Sequence, residues 1–198
     1  MPIIIRDLIT GRGETQPLGS TIATVATARI VLGSDKLRSQ VDAVTILKAD
    51  DGLADAHWEM YFHGNGFSVK IDLMQAGYRI LYGAAPRPGR DAELDRITLN
   101  PAKTLQRLIE EISYVATSKG DWTGTAQYNC QDFVVAYMSR LGMSTSDIFR
   151  FELRRAATKL ARANNTGIQV TDCITQGGQR YLRQRVAIAP ILIPLPTD

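Results

Sequence analysis

"HWEMYFHGNGFSVKIDLM", residues 57–74, changes character at every second residue on either side of a short glycine-asparagine-glycine break. Trp58, Met60 and Phe62 point one way, and Phe67, Val69, Ile71 and Leu73 continue that apolar face after the break. His57, Glu59, Tyr61, His63, Ser68, Lys70 and Asp72 fall on the other face. A period of two predicts strands, and the GNG break supplies the residues that tolerate the positive φ of a tight hairpin turn. Centred on Gly64-Asn65, the turn sets Asp72 directly opposite His57; centred on Asn65-Gly66, it makes them diagonal neighbours. In both registers the two side chains are within reach on one face.

Outward from this hairpin, "AVTILKA" from Ala43 predicts a strand before it, "YRILYGA" a strand after it, and "RITL" a short strand beyond the surface loop "APRPGRDAELD". "IIIRDLI" near the start reads as a strand, whereas "STIATVATARIVLG" fits helix or strand. "NPAKTLQRLIEEISYVATSKG" predicts a helix with Asn100 as N-cap, Pro101 at its first position, Leu105, Leu108, Ile109, Ile112 and Val115 as its buried stripe, and Gly120 as its end. "NCQDFVVAYMSRLG" predicts another, capped by Asn129 with Asp132 three residues on, and buried through Phe133, Val134, Tyr137, Met138 and Leu141. A third runs from about Ser146 to Ala163 with a basic side that reads as solvated surface. "GIQVTDCITQGGQRYLRQRVAIA" predicts two closing strands around a QGGQ turn. The sum is an α+β protein, an antiparallel sheet packed on helices, in a single domain over residues 1–198.

Composition narrows the function. With 198 residues, 44% hydrophobic and 22% charged, the chain has the make-up of an ordinary globular protein. A net charge of +3 is too small to favour nucleic acid as the main partner. The start, "MPIIIRDLITGRGETQP", lacks the pattern of a secretory signal, which predicts a cytoplasmic protein. "VAIAPILIPLP" is too short and too proline-broken to be a transmembrane span. The two cysteines, Cys130 and Cys173, form no CxxC pair, so reduced thiols are expected rather than a zinc ribbon.

Cys130 draws the chemistry. If Asn129 caps the helix, Cys130 takes its first position, beside unpaired backbone N–H groups and the positive end of the helix dipole, a setting that favours thiolate over thiol. The same N–H groups can hold a developing oxyanion. A cysteine nucleophile needs a base, usually histidine, and the chain has two. His57 opens a strand; His63 adjoins the turn and reads as a solvated histidine. Asp72 is placed to orient His57, with Glu59 in reserve. Glu59 facing inward needs a partner, which Lys70 supplies unless a bulge turns His57 out of the pattern. A metal held by His57, Glu59 and His63 is not expected, because the two histidines are roughly 20 Å apart along an extended strand. Cys173 reads as core.

A strand-initial His57 in "HWEMYFHGNGFSVKIDL", then a long helix, then "YNCQDFVVAYMSRLG", resembles the circularly permuted papain-like cysteine enzymes, which include the lecithin:retinol acyltransferase-like proteins and the PPPDE-type peptidases. In that group the histidine precedes the cysteine, which opens a helix within an Asn-Cys-x-x-Phe pattern, matched here by Asn129, Cys130 and Phe133. The resemblance covers about residues 43–142 as a catalytic core, leaving 143–198 as a helix with closing strands or tail. It implies a circularly permuted papain-like fold, Cys130 as nucleophile and His57 as base, with no metal or other cofactor. Acyltransferase-like members generally carry a second histidine on the next strand, where this chain has Lys70 and Asp72. The expected activity is therefore a peptidase- or amidase-type cysteine hydrolase acting on a peptide, protein or other acyl-bearing substrate. Trp122, Gln127 and Tyr128, just before the nucleophile, are candidate substrate contacts. The alternatives are an acyltransferase or lipid or thioester hydrolase of the same fold, and a catalytically inactive binding module.

Overall fold

The computed structural model describes residues 1–49, 57–87, 91–119, 128–163, 169–176, 179–185 and 190–194. The chain divides into two compact units, Met1–Gly142 and Met143–Asp198.

The first unit is built on a seven-stranded sheet in the order β2-β1-β6-β5-β4-β3-β7. Its strands are β1 (Pro2–Asp7), β2 (Gly13–Pro17), β3 (Gln40–Ala49), β4 (His57–Gly64), β5 (Phe67–Met74), β6 (Gly77–Tyr82) and β7 (Asp91–Thr104). Its helices are α1 (Thr21–Leu32), α2 (Ser34–Arg38), α3 (Leu105–Lys119) and α4 (Cys130–Arg140). The protein is α+β as expected, but the sheet is mixed rather than antiparallel: β1 lies parallel to β6, while the other neighbours are antiparallel. No local pattern announces that pairing, since β1 and β6 meet across some seventy intervening residues. The approach is close at Gly77, where a Cβ would lie 2.5 Å from the Pro2 carbonyl oxygen.

The β4–β5 hairpin forms in the second of the two registers. Gly64 pairs with Phe67 and Met60 with Ile71, so the turn is Asn65-Gly66, with Gly66 at φ 77°. Side-chain parity then carries across the sheet. Ile3, Ile5, Val44, Ile46, Met60, Phe62, Val69, Ile71, Tyr78 and Ile80 share one face and are all buried. Helix α4 lies on that face, with Phe62 edge-on to Tyr137 at 5.8 Å and Tyr78 edge-on to Phe133 at 5.3 Å between ring centroids. The opposite face is also covered: Leu47, Tyr61 and Ala84 cluster there with Leu81. A strand packed on both sides explains why the polar half of the alternation in β4 is buried too.

The helices join through buried polar contacts. The Tyr137 hydroxyl donates to the Leu108 carbonyl at 2.7 Å, tying α4 to α3, and the Thr24 and Ser113 hydroxyls meet at 3.0 Å between α1 and α3. Buried Glu111 on α3 accepts from Arg140 Nε on α4 at 2.7 Å and also pairs with Arg107. The ambiguous stretch after Gly19 is the helix α1, capped by Ser20, whose hydroxyl accepts from Ala23 N–H.

One helix boundary differs from the sequence reading. β7 continues to Thr104 through a cis Asn100-Pro101 bond, and α3 starts at Leu105, with Thr104 Oγ1 accepting the Arg107 N–H at 3.1 Å. Pairing with β3, which joins Gln40 to Thr104, holds these residues extended and overrides the helix-start signal of Asn-Pro. The expected stripe of Leu105, Leu108, Ile109, Ile112 and Val115 is buried nonetheless.

The second unit contains α5 (Thr145–Ala163) and a three-stranded antiparallel sheet of β8 (Gln169–Gln176), β9 (Gln179–Arg185) and β10 (Pro190–Pro194) in the order β10-β9-β8. Cys173 lies on β8. Pro190–Pro194, within the proline-broken apolar tail, thus forms an edge strand, where prolines are tolerated. No helix among the described residues is long and apolar enough to cross a membrane.

Helix α4 begins with a complete capping box: Asn129 Oδ1 accepts the N–H groups of Gln131 at 2.9 Å and Asp132 at 3.2 Å, and Asp132 Oδ2 accepts the Asn129 N–H at 3.0 Å. Asn129→Ala should lower stability by about 1 kcal/mol in chemical denaturation; an unchanged midpoint would mean that the cap contributes nothing to holding this helix start.

Candidate active site

Two chain positions meet at one end of the sheet. His57 is the first residue of β4, and Cys130 the first of α4, a helix held over the sheet by Phe133 and Tyr137. The Cys130 thiol lies close enough to His57 to raise the pKa of the imidazole, by hydrogen bonding and by charge. Helix α4 lies on the Phe62 face while His57 belongs to the other, so the contact exists because both residues stand at element ends. Cys130 is a partly exposed free thiol, and the His57 side chain keeps 11% of its surface, so both are open to a small reactant.

Behind His57 stands the predicted carboxylate. His57 Nε2 donates to Asp72 Oδ2 at 3.1 Å, so the diagonal register suffices to bring the pair together. Asp72 is wholly buried and is gripped from β6 by Arg79, whose Nε donates to Oδ1 at 2.7 Å while its terminal nitrogen donates to Oδ2. Lys70 Nζ stands 3.4 Å from the same Oδ2. Burial alone would raise the pKa of Asp72, but the hydrogen bonds from His57 and Arg79 and the charges of Arg79 and Lys70 outweigh it and hold the group far below the usual carboxylate range.

For His57 the balance runs the other way. Burial would lower its pKa, but the hydrogen bonds to Asp72 and Cys130 and the charges of both raise it from 6.5 to about 9. A group raised on folding stabilises the native state fully below its unfolded pKa near 6.5, and that contribution is lost as pH climbs through about 9.

Glu59 lies on the same face with Oε1 3.8 Å from His57 Nε2. It is buried, accepts the Tyr61 hydroxyl at 3.1 Å and is ion-paired with Lys70. Of the two ways to accommodate an inward Glu59, the Lys70 partner is the one present, and β4 keeps an unbroken register with β3 from Glu59 to His57. The nearest ligand atoms of His57, Glu59 and Asp72 all lie within 4.8 Å of one another, a donor set of metal-site type. Lys70 and Arg79 already face these two carboxylates, so an ion would have to displace two cations; the arrangement is that of a charge-balanced network. His63 does not join it. Its Nε2 meets Thr45 Oγ1 at 2.8 Å on the strand, half-buried rather than free in solvent, and burial lowers its pKa.

Cys130's own N–H is the helix-start donor that the cap leaves over, because those of Gln131 and Asp132 bond to Asn129. Tyr128 lies immediately before this cap with its hydroxyl 3.5 Å from that of Tyr78. Burial, followed by the contact with Tyr78, pushes its pKa up, so the phenol stays protonated. Trp122 and Gln127 lie outside the described residues. Arg79 was missed by the sequence reading, although the two-residue Gln75-Ala76 turn that joins Met74 to Gly77 puts it directly across from Asp72.

The chain matches no protein-family model, no curated protein and no solved structure.

Selectively labelled imidazole NMR, with His63→Gln to assign the two rings, should show His57 titrating at about 9. Cys130→Ala and Asp72→Asn should each lower that midpoint, since each removes a group that stabilises imidazolium. A midpoint of 6.5 in the unmodified chain would contradict the geometry.

Proposed function

We propose that this chain is a cysteine hydrolase of peptidase or amidase type, with Cys130 as nucleophile, His57 as general base and then acid, and Asp72 as the group that orients His57. The observation that carries the reading is the succession Cys130, His57, Asp72: a thiol at a helix start beside an imidazole that a buried carboxylate holds from behind. With Nε2 committed to Asp72, we assign Nδ1 as the nitrogen that serves the sulfur. His57 preceding Cys130 along the chain agrees with a circularly permuted papain-like arrangement, which we propose for the core of the first unit.

The steps follow from these positions. His57, its pKa raised to about 9, holds the proton of the thiol–imidazole pair at neutral pH while the Cys130 sulfur bonds to the substrate's carbonyl carbon, and the resulting oxyanion is met by the Cys130 N–H. Collapse breaks the bond to the amine, which leaves with the proton from His57, and a thioester remains on Cys130. Water then gives a proton to neutral His57 and attacks the thioester; the sulfur leaves and recovers the proton. An alcohol or amine in place of that water would make the same site an acyltransferase. Lys70 and Asp72 on β5, where acyltransferase-like proteins generally carry a histidine, favour hydrolysis.

Incubation with peptide-like and lipid-like acyl electrophiles, read by intact mass, tests this. The peptide-like reagent should add one acyl group, mapped to Cys130, and Cys130→Ala should add none. Exclusive reaction with the lipid-like reagent would move the assignment to lipid or thioester substrates. No adduct with either, under conditions where the chain is folded, would make the site a binding module.

A further inference from the structure

Two buried carboxylates stand beside one imidazole, and only one of them holds it. Asp72 Oδ2 is 3.1 Å from His57 Nε2, while Glu59 Oε1 is 3.8 Å from the same nitrogen. The difference is small: a movement of less than about 1 Å would bring Glu59 to hydrogen-bond distance. Lys70 stands between the two acids, bonded to Glu59 Oε1, the oxygen facing His57, and 3.4 Å from Asp72 Oδ2, the oxygen that accepts the His57 proton. We propose that Lys70 is a positioning residue that assigns His57 to Asp72 by occupying the Glu59 oxygen that would otherwise take it. The proposal deepens the hydrolase reading and rests on it for its catalytic meaning.

The physical reason is the shortage of counter-charge around two buried carboxylates. Asp72 has Arg79 on both oxygens, so it stays neutralised whatever Lys70 does. Among the described residues, the one positive side chain bonded to Glu59 is that of Lys70, its other oxygen accepting only the Tyr61 hydroxyl. Without Lys70, a carboxylate with 2% of its surface exposed would have the His57 imidazolium as its nearest cation. A buried charge stripped of its partner is costly, so the ring would be drawn from Asp72 toward Glu59. Among the described residues, the charged or titratable groups around His57 are Glu59 from β4, Lys70 and Asp72 from β5, Arg79 from β6 and Cys130 from α4. In Lys70→Met the imidazolium gains an uncompensated carboxylate, Glu59, at its side and gives up its proton less readily. Neutral His57 is required to take a proton from water, so hydrolysis of the acyl-enzyme slows.

The test is the His57 titration by imidazole NMR in the full chain, with the kinetics beside it. Lys70→Met should raise the midpoint by about one pH unit, the effect expected of one nearby charge. It should also lower kcat with little change in KM and move the acid limb of the kcat profile upward. Lys70→Arg should restore the original midpoint, and so should Lys70→Met/Glu59→Gln, which removes the competitor together with its guard. A merely structural lysine would not be rescued by deleting its acidic partner. Should Lys70→Met not fold, Glu59→Gln carries the test: Lys70 then turns to Asp72, and the His57 midpoint falls. An unmoved midpoint in Lys70→Met, a double variant that stays shifted like the single one, or an unmoved midpoint in Glu59→Gln overturns the proposal. The titration needs no substrate, so a midpoint that moves as described without acyl-enzyme formation upholds the role of Lys70 and sinks the hydrolase reading. Acyl-enzyme formation with an unmoved midpoint does the reverse.

Discussion

Asp72 is a carboxylate with no exposed surface, and the end of the sheet around it is organised by the need to keep it charged. Removing an ion from water costs several kcal/mol, which neither a surface-type ion pair nor a single hydrogen bond offsets. Here the compensation comes from three neighbours on three successive strands: His57 on β4, Lys70 on β5 and Arg79 on β6. Each is usable only if the strand order and the two-residue offsets of the hairpins are those observed. The charge network therefore depends on the register as much as the apolar face does. A slip by one residue would move Asp72 to the helix side, among Met60, Ile71 and Ile80, with no cation to meet it.

The apolar face supplies the other requirement, a rigid seat for the thiol. Phe133 and Tyr137 stack on each other at 5.5 Å, and each contacts a sheet aromatic, so α4 is fixed over β4 and β6. Its first residue is then placed to within the precision of a packed core rather than that of a loop. The capping box sets where the helix begins, and hence that Cys130, rather than a neighbour, is the residue at its mouth. Thiol and imidazole come from opposite sides of the sheet, which is why they can meet only at its end.

Much of this was legible in the chain because it is written in short-range patterns. The alternation through residues 57–74 fixed the shared face of His57, Glu59, Lys70 and Asp72 whichever turn register formed, and Asn129 with Asp132 announced the cap. What escaped depends on distant pairings. The parallel β1–β6 contact made the sheet mixed, and the pull of β3 on β7 carried the strand past Pro101, four residues beyond the local helix signal at Asn100. Arg79 went unnoticed because its role arises only after two hairpin registers are chained together. His63 was read as solvated from its place beside the turn, whereas Thr45 on β3 covers and bonds it. The nucleophilic role of Cys130 remains a reading of this geometry, supported by chemistry rather than by kinship.

The most direct measurement of that chemistry is the alkylation rate of each cysteine by a small neutral thiol reagent, followed by peptide mass spectrometry in the unmodified chain and in His57→Ala. An imidazole that draws the proton from the sulfur makes Cys130 react faster than Cys173 by roughly tenfold or more at neutral pH, and His57→Ala removes most of that advantage. Equal rates at the two cysteines, or a Cys130 rate indifferent to His57→Ala, would contradict the account.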